Sequence, residues 1–322
     1  INGEETDAGV NSWLKKYNPH TGEQLNEVAD SSTQQIEQAV CIAKKAFIGW
    51  SETTPVARGQ ILFEFSKLMS LNSKELAKSI ALETGKPPAD ANGEVSAAIM
   101  QAQFFAGEGM RLNGKSLTSS MYGKTSFTTR EPHGIVGLIV PANTPIANIA
   151  WKIFPALICG NAIILKASED APSVSILMAK LAQQAGLPNG VLNVIQGSKN
   201  AGEAIVMNDS ISLISFTGST IVGKRIAENA GKRLARVSLE LGGKNAFVVC
   251  EDANINQAIH WVSLSAFSNA GQRCAAASRI FVHEEIYEMF FKKLIAKAIL
   301  CRSIEKTIKD MKIEGYKSHI SA

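Results

Sequence analysis

Several signatures of specialised protein classes are missing from this 322-residue sequence. Its formal net charge is only +4, which indicates neither a nucleic acid nor an anionic membrane surface as a partner. No apolar run approaches the ~20 residues that cross a bilayer, and no secretory leader is recognisable at the start. Five cysteines without a CxxC pair argue against a disulfide framework and fit a reducing compartment. We therefore expect a cytoplasmic protein, and the five scattered histidines predict no metal site.

The composition itself indicates a globular chain that can bury a large core. Hydrophobic residues make up 45% of the sequence and charged residues 19%. A length of 322 residues corresponds to about two domains of ~150 residues.

The first third of the chain has mainly helical periodicity. Apolar residues recur every three or four positions in 33–48, with Thr33 as the expected N-cap. One long helix is predicted over 56–84, ending at Gly85, and another over 90–109. Residues 111–131 alternate polar and apolar side chains between glycines, which predicts an extended β-hairpin.

From Gly134 onward, short apolar runs alternate with stretches of helical length. Strands are predicted at 134–140, 162–166, 191–195, 211–216, 235–239 and 245–249. Helices are predicted at 146–159, 172–186, 199–208 and 219–230. This alternation indicates an α/β fold, a doubly wound parallel sheet covered on both faces. Because ligands of such folds bind at the carboxyl ends of the strands, the residues that follow each strand are the candidates for chemistry.

Two of these strand ends favour a nucleotide. Thr217-Gly218-Ser219-Thr220 follows one strand and opens a helix, so free N–H groups could face a phosphate. Lys166 ends another strand, with Glu169 three residues later, where a carboxylate could accept bonds from ribose hydroxyls. The alternatives are an ordinary helix cap at Ser219 and a surface ion pair between Lys166 and Glu169.

Three further segments favour catalysis. Asn143 lies between Pro141 and Pro145, where its amide could donate to an oxyanion; the alternative is an Asx turn. Glu240 ends an apolar strand and could act as a general base with a raised pKa, or else be a solvated or Lys-paired carboxylate. Cys274 follows a glycine turn beside Arg273, a context that favours a nucleophile over an inert buried thiol. The other cysteines, Cys41, Cys159, Cys250 and Cys301, fall in helical or strand patterns and are expected to be core or inert.

Five segments in this order resemble the NAD(P)-dependent aldehyde dehydrogenase superfamily. The resemblance runs from Ile1 to about Ile295, and even residues 1–4 and 18–23 look like the family's N-terminal strands. The five are Pro141-Ala142-Asn143-Thr144-Pro145, Lys166-Ala167-Ser168-Glu169, Phe216-Thr217-Gly218-Ser219-Thr220, Leu239-Glu240-Leu241-Gly242-Gly243-Lys244, and Phe267 to Cys274.

The resemblance implies a role for each matching residue. Cys274 corresponds to the nucleophile that forms a thiohemiacetal and then a thioester, Asn143 to the oxyanion donor, and Glu240 to the base. Lys152 corresponds to a lysine with a supporting electrostatic role. The residues implied for cofactor binding are Lys166, Glu169, Gly218, Ser219, Gly223 and Leu241. A carboxylate at 169 would repel a ribose 2′-phosphate, so NAD is expected rather than NADP.

The resemblance also implies a domain plan. Residues 1–110 and 132–242 would form a Rossmann-like NAD-binding domain, and 111–131 an oligomerisation hairpin of a homodimer or homotetramer. Residues 243–322 would be the first part of an α/β catalytic domain, with a divergent tail from about 296. No family-like Glu in a Phe-Gly-Pro context follows Cys274, so a C-terminally truncated or frame-disrupted chain is expected.

Two alternatives remain open at this stage. The chain could be an inactive NAD-binding fragment of an aldehyde dehydrogenase rather than an enzyme that oxidises an aldehyde to an acid. Separately, the Lys-rich stretch 296–317 could be a helix that binds a partner, although its interleaved acidic residues favour a solvated face.

Overall fold

The computed structural model describes residues 1–6 and 12–299. Its first two strands form a small antiparallel hairpin. Strand β1 (Trp13–Tyr17) pairs with β2 (Gln24–Ala29). The prediction of strands at residues 1–4 and 18–23 was wrong. Residues 18–23 form the turn between β1 and β2, because Gly22 N donates to Asn18 O, and residues 1–4 form a turn closed by Glu4 N and Ile1 O.

Four helices follow the hairpin: α1 (Thr33–Glu52), α2 (Pro55–Leu71), α3 (Ser73–Thr84) and α4 (Pro88–Glu108). The single helix predicted over 56–84 is two helices. Asn72 leaves the helical conformation and its side-chain Nδ2 donates to Leu68 O, a local bond that competes with the helix ladder. Gly85 ends α3 in the left-handed region, as the sequence predicted.

The N-cap of α1 is Ser32, one residue before the predicted Thr33. The Ser32 side chain accepts from Gln35 N, and the Gln35 side chain accepts from Ser32 N, which forms a complete capping box. The sequence pattern located this helix start correctly to within one residue.

The predicted hairpin at 111–131 is present as two short antiparallel strands. Strand β3 (Ser116–Thr118) pairs with β4 (Thr125–Phe127), and every residue of both strands is exposed.

The largest sheet among the described residues has five strands. Its spatial order is β7-β6-β5-β8-β9, with parallel pairing of β5 to β6, β5 to β8 and β6 to β7. The order therefore reverses between β5 and β8, which is the topological switch point of a Rossmann-type sheet. The elements are β5 (Ile135–Ile139), α5 (Pro145–Ile158), β6 (Ala162–Lys166), α6 (Ser173–Gln184), β7 (Leu192–Ile195), α7 (Lys199–Met207), β8 (Ile211–Gly218), α8 (Thr220–Lys232) and β9 (Arg236–Leu241).

Helices cover both faces of this sheet. Helices α2, α3, α4, α5 and α6 pack together, while α1, α7 and α8 contact one another and the strands. The main core lies with the first group and includes Phe65, Phe154, Ile163 and Leu165, all fully buried. This burial explains why β5 and β6 read as continuous apolar runs rather than as alternating ones.

The chain divides into two compact units, Ile1–Glu240 and Leu241–Ala322. In the second unit, β10 (Asn245–Val249) pairs in parallel with β11 (Ala277–Val282) as a separate two-stranded sheet. Helices α9 (Ile255–Phe267) and α10 (Glu284–Ile299) pack with these strands around a core containing Val249, Val262 and Phe290. The domain boundaries proposed from the sequence stay a prediction.

Among the described residues, no helix combines the length and apolar character that a bilayer crossing requires. The cysteine interpretation needs a correction, because Cys41 and Cys250 are exposed rather than in the core, and Cys159 is half-buried at the end of α5. Cys41 lies at an exposed position of α1, Cys159 is the C-cap of α5, and Cys250 follows the last residue of β10. Cys301 and the 296–317 stretch fall largely outside the described residues.

Candidate active site

Three neighbouring strands of the first unit end in candidate residues. Asn143 follows β5, Lys166 ends β6 with Glu169 three residues later, and Ser219 follows β8. Because these strands are parallel neighbours, their carboxyl ends meet at one edge of the sheet. The sheet thus gathers the predicted polar residues of the first unit around its switch point.

The loop that carries Asn143 is held by its own hydrogen bonds. Asn143 Oδ1 accepts from Thr144 N at 2.9 Å and from Asn148 Nδ2 at 3.1 Å, and the Asn143 carbonyl accepts from Lys86 Nζ at 2.8 Å. The residue two positions on is Pro145, which has no N–H to donate, so the Asx turn of the alternative interpretation does not form. Since two donors engage the side-chain oxygen, the amide group is oriented by the loop.

Lys152 lies on the buried face of α5, about two turns after the Asn143 loop. Its Nζ donates to Ser215 Oγ of β8 at 2.7 Å, and the residue is 7% exposed. Burial lowers the pKa of Lys152 to about 8, partly opposed by the negative charge of Glu240. A lysine with a pKa near neutrality can exchange a proton under physiological conditions.

The last residue of β6, Lys166, forms an ion pair with Glu169 in the loop that follows. Lys166 Nζ lies 3.2 Å from Glu169 Oε2 and donates to Ala167 O at 2.8 Å. The Lys166 side chain is 7% exposed, whereas that of Glu169 is 44% exposed. The pair orients the Glu169 carboxylate while leaving its oxygens accessible to a ligand.

The segment after β8 has the features of an anion-binding helix start. Ser219 is the N-cap of α8, its side chain accepts from Val222 N, and the first turn contains no acidic residue. A Cβ on Gly218 would overlap the Phe216 ring, so only glycine fits there without a shift. Gly223 is buried within α8. These features fit a pyrophosphate, because a helix N-terminus offers free N–H groups and a partial positive charge.

Glu240 does not have the apolar surroundings expected from its sequence. Strand β9 is largely exposed along its length, and Glu240 is exposed while its neighbour Leu241 is half-buried. The prediction of an apolar setting was wrong, because β9 is an edge strand and its flanking apolar residues do not enclose the carboxylate. Glu240 is nevertheless close enough to Lys152 to affect the lysine electrostatically.

Cys274, in the second unit, is an exposed thiol just after a strained turn. Asn269, Ala270 and Gly271 all have φ between 54° and 70°, a left-handed run that is costly for Ala270. The Cys274 carbonyl accepts from Asn245 Nδ2 at 2.6 Å, which ties this segment to the start of β10. The residues on both sides of Cys274, Arg273 and Ala275, line a cavity of about 470 Å³. Cys274 is therefore not a buried thiol.

Three residues important to this geometry were missed at the sequence level: Lys86, Glu94 and Ser215. A signal existed for Glu94, because it interrupts the apolar helical stripe of Ala91, Val95 and Ala98, and a charged residue on a buried face requires a partner. Ser215 has no comparable local signal.

Within the described residues, Glu251, His283 and Glu285 also place possible ligand atoms within 4.8 Å of one another. These three positions are too far apart in sequence to be recognised as a group. His283 Nε2 lies 3.6 Å from Glu251 Oε2, so an ordinary surface ion pair accounts for two of the three.

Comparison with known proteins identifies the family. A profile described as the aldehyde dehydrogenase family matches residues 6–311. The chain belongs to this family. The NAD(P)-dependent aldehyde dehydrogenase resemblance drawn from the five motifs is thereby confirmed, as is the α/β fold.

Individual relatives agree with this assignment. The chain is 38% identical over 296 residues to the D-glyceraldehyde dehydrogenase (NADP(+)) of Picrophilus torridus, covering 92% of this chain and 60% of the relative. It is 36% identical to the mitochondrial benzaldehyde dehydrogenase of Antirrhinum majus, with 93% and 57% covered. The crystal structure of PnpE in complex with nicotinamide adenine dinucleotide superposes with a TM-score of 0.90 at 35% identity, with 92% and 61% covered. The chain thus spans about 60% of the length of these relatives.

Proposed function

We propose that this chain carries the NAD-binding and nucleophile-bearing part of an enzyme that oxidises an aldehyde to a carboxylic acid. The observation that carries the proposal is the convergence of Asn143, the Lys166–Glu169 pair and the capped start of α8 on one sheet edge. The accessible thiol of Cys274 supports it further.

In the proposed reaction, the Cys274 thiolate attacks the aldehyde carbon and forms a tetrahedral alkoxide. The Asn143 amide donates a hydrogen bond to that oxygen, which stabilises its developing charge. Collapse of the alkoxide with loss of hydride from the carbon gives a thioester on Cys274. A dinucleotide held by Lys166, Glu169 and the start of α8 would accept that hydride. Glu240 then takes a proton from water, which hydrolyses the thioester to the acid and frees the thiol.

The residues proposed to bind the cofactor favour NAD over NADP as the hydride acceptor. Lys166 and Glu169 would hold the adenosine ribose, and Gly218 and Ser219 would lie beside the pyrophosphate. Gly223 and Leu241 are the further residues that the resemblance implies for cofactor binding. The oriented, accessible Glu169 carboxylate suits ribose hydroxyls and repels a 2′-phosphate. The relatives differ in cofactor: the PnpE structure holds nicotinamide adenine dinucleotide, whereas the Picrophilus torridus relative is a D-glyceraldehyde dehydrogenase (NADP(+)).

Replacing Glu169 tests this preference. We expect Glu169→Gln to lower the NAD:NADP affinity ratio by on the order of 10-fold, because the repulsion is removed. Asp170→Asn, the adjacent exposed carboxylate, is the matched control and should leave the ratio unchanged. A ratio unaffected by Glu169→Gln, or a wild-type preference for NADP, would contradict the assignment.

A second candidate function is dinucleotide binding without turnover. It is supported by the location of the Lys166–Glu169 pair and the capped start of α8 in the first unit, which does not contain Cys274. One measurement distinguishes the two candidates. Protein that binds NAD in calorimetry is mixed with a panel of aldehydes, and the formation of NADH is measured.

The key comparison uses two exposed cysteines of the second unit. We expect Cys274→Ser to abolish NADH formation while keeping NAD affinity, and Cys250→Ser to keep both. NAD binding without NADH from the wild type would support the second candidate, and absence of NAD binding would contradict both.

The exposed β3–β4 hairpin supports a homo-oligomer as the assembled form. Leu117, Tyr122 and Phe127 present apolar side chains to solvent on this hairpin, with Phe127 73% exposed. A homodimer or homotetramer would cover them, and the mass in solution measured by light scattering tests this.

A further inference from the structure

We propose that the buried ion pair of Lys86 and Glu94 positions the Asn143 loop for oxyanion binding, so that both are positioning residues for the reaction. The inference rests on the proposed function for the role of Asn143, but the contacts that carry it are independent of that role. We call Lys86 and Glu94 the loop clamp.

The loop clamp joins the α3–α4 corner to the loop after β5. Lys86 follows the left-handed Gly85 at the end of α3, and Glu94 lies near the start of α4. Lys86 Nζ is 2.6 Å from Glu94 Oε2, and their side chains are only 4% and 6% exposed. The pair is therefore inside the protein, where an ion pair is retained only if its remaining polar atoms are satisfied.

Those remaining atoms bind the candidate catalytic loop from two sides. Lys86 Nζ donates to the Asn143 carbonyl at 2.8 Å. The other carboxylate oxygen of Glu94 accepts from Ala147 N, in the first turn of α5, at 3.3 Å. One buried pair thus holds both the residue that carries the amide and the helix start that follows it.

This arrangement acts on the backbone of Asn143 rather than on its side chain. The side-chain oxygen is already held by Thr144 N and Asn148 Nδ2 within the loop. Lys86 fixes the peptide plane on which that internal network is built. A shift of about 1 Å in an oxyanion donor is enough to lower a rate on the order of 100-fold.

The test removes the Lys86 contact without leaving a buried charge. Lys86→Met alone would strand the Glu94 carboxylate, so the variant is Lys86→Met combined with Glu94→Gln, whose amide oxygen can still accept from Ala147 N. The matched control is Lys67→Met combined with Glu64→Gln, which neutralises an exposed pair of the same residue types on α2.

The first readout is amide hydrogen exchange of the peptide covering residues 141–151, which needs no turnover. We expect exchange at least about 5-fold faster in the loop-clamp variant than in the wild type, with β6 unchanged and the control variant like the wild type. Unchanged exchange in 141–151 would overturn the proposal, and faster exchange throughout the first unit would assign the pair a general folding role instead.

The second readout is kinetic and uses Asn143→Ala. We expect the loop-clamp variant to lose on the order of 10- to 100-fold in kcat with KM for NAD nearly unchanged, and to cause no further loss when combined with Asn143→Ala. Independent, multiplicative losses would overturn action through Asn143. If the wild type oxidises no aldehyde, the proposed function fails on that result alone, and the exchange measurement decides the loop clamp.

Discussion

Replacing the buried Lys152 by methionine is predicted to stabilise the protein at neutral pH. Burial lowers the pKa of Lys152 from 10.5 to about 8, so the folded state holds this proton less tightly than the unfolded state does. A difference of roughly 2.5 pKa units corresponds to about 3 kcal/mol of destabilisation while the lysine is charged in both states. Methionine has a similar shape and carries no charge.

The hydrogen bond to Ser215 partly offsets this gain. Lys152 Nζ donates to Ser215 Oγ at 2.7 Å, and its loss costs about 1 kcal/mol. The expected net effect of Lys152→Met at pH 7 is therefore an increase of about 2 kcal/mol in the free energy of unfolding.

The pH dependence has a definite sign. Below pH 8 both states are protonated and the full penalty applies to the wild type. Between pH 8 and pH 10.5 the unfolded state binds more protons, so wild-type stability rises with pH and the advantage of Lys152→Met shrinks. Near pH 10.5 only the lost hydrogen bond remains, and the variant should be about 1 kcal/mol less stable than the wild type.

Urea unfolding followed by circular dichroism at 222 nm, at several pH values from 7 to 10.5, measures this difference. Other titrating groups cancel because the wild type and the variant share them. Lys78→Met, at an exposed position of α3, is the matched control and should give a small difference independent of pH. A Lys152→Met variant that is less stable than the wild type at pH 7, or whose advantage does not vary with pH, would refute the reasoning.

Two structural positions give further predictions. Arg58→Met is expected to destabilise the first unit by about 3 kcal/mol, measured by urea unfolding, because the buried guanidinium donates to the carbonyls of Trp50, Ser51, Thr53 and Ile158, which would lose their partner; an unchanged midpoint would contradict it. Gly218→Ala is expected to weaken NAD binding in calorimetry and cost about 1–3 kcal/mol of stability, because the added methyl displaces the Phe216 ring, whereas Gly231→Ala, with open space around it, should be harmless to both.

The periodicity of apolar residues predicted most helices and strands, because each element buries one or both of its faces. Strands β5 and β6 are apolar on both sides, since helices cover both faces of the sheet there. The ends of the six predicted strands lie within about two residues of the observed ones, whereas β11 was not predicted. The break at Asn72 escaped prediction, because a single asparagine within a helical pattern gives only a weak signal until its side chain is seen to bond Leu68 O. The solvent exposure of single side chains was predicted less reliably than the elements that carry them. Glu240 and Cys41 are both exposed, because periodicity cannot distinguish an edge strand or an outer helix position from a covered one.

Some residues of the candidate site could be predicted from the sequence, and others could not. The residue types and their order along the chain were sufficient to propose Asn143, Glu169, Ser219 and Cys274, because each follows a strand or a glycine turn where such chemistry is found. The partners of these residues were invisible, since Lys86 is 57 positions from Asn143 and Lys152 is 63 from Ser215.

By itself, the sequence determined the alternation of strands and helices, the family and the residues available for chemistry, because these depend on periodicity and on local turn geometry. The tertiary structure alone decided the strand order β7-β6-β5-β8-β9, which brings three strand ends to one edge. It also decided which charges are buried: Lys86, Glu94 and Lys152 became inaccessible, while Glu240 stayed exposed. Burial arises from contacts between elements distant in the chain, and it is burial that turns a lysine into a residue with a pKa of about 8.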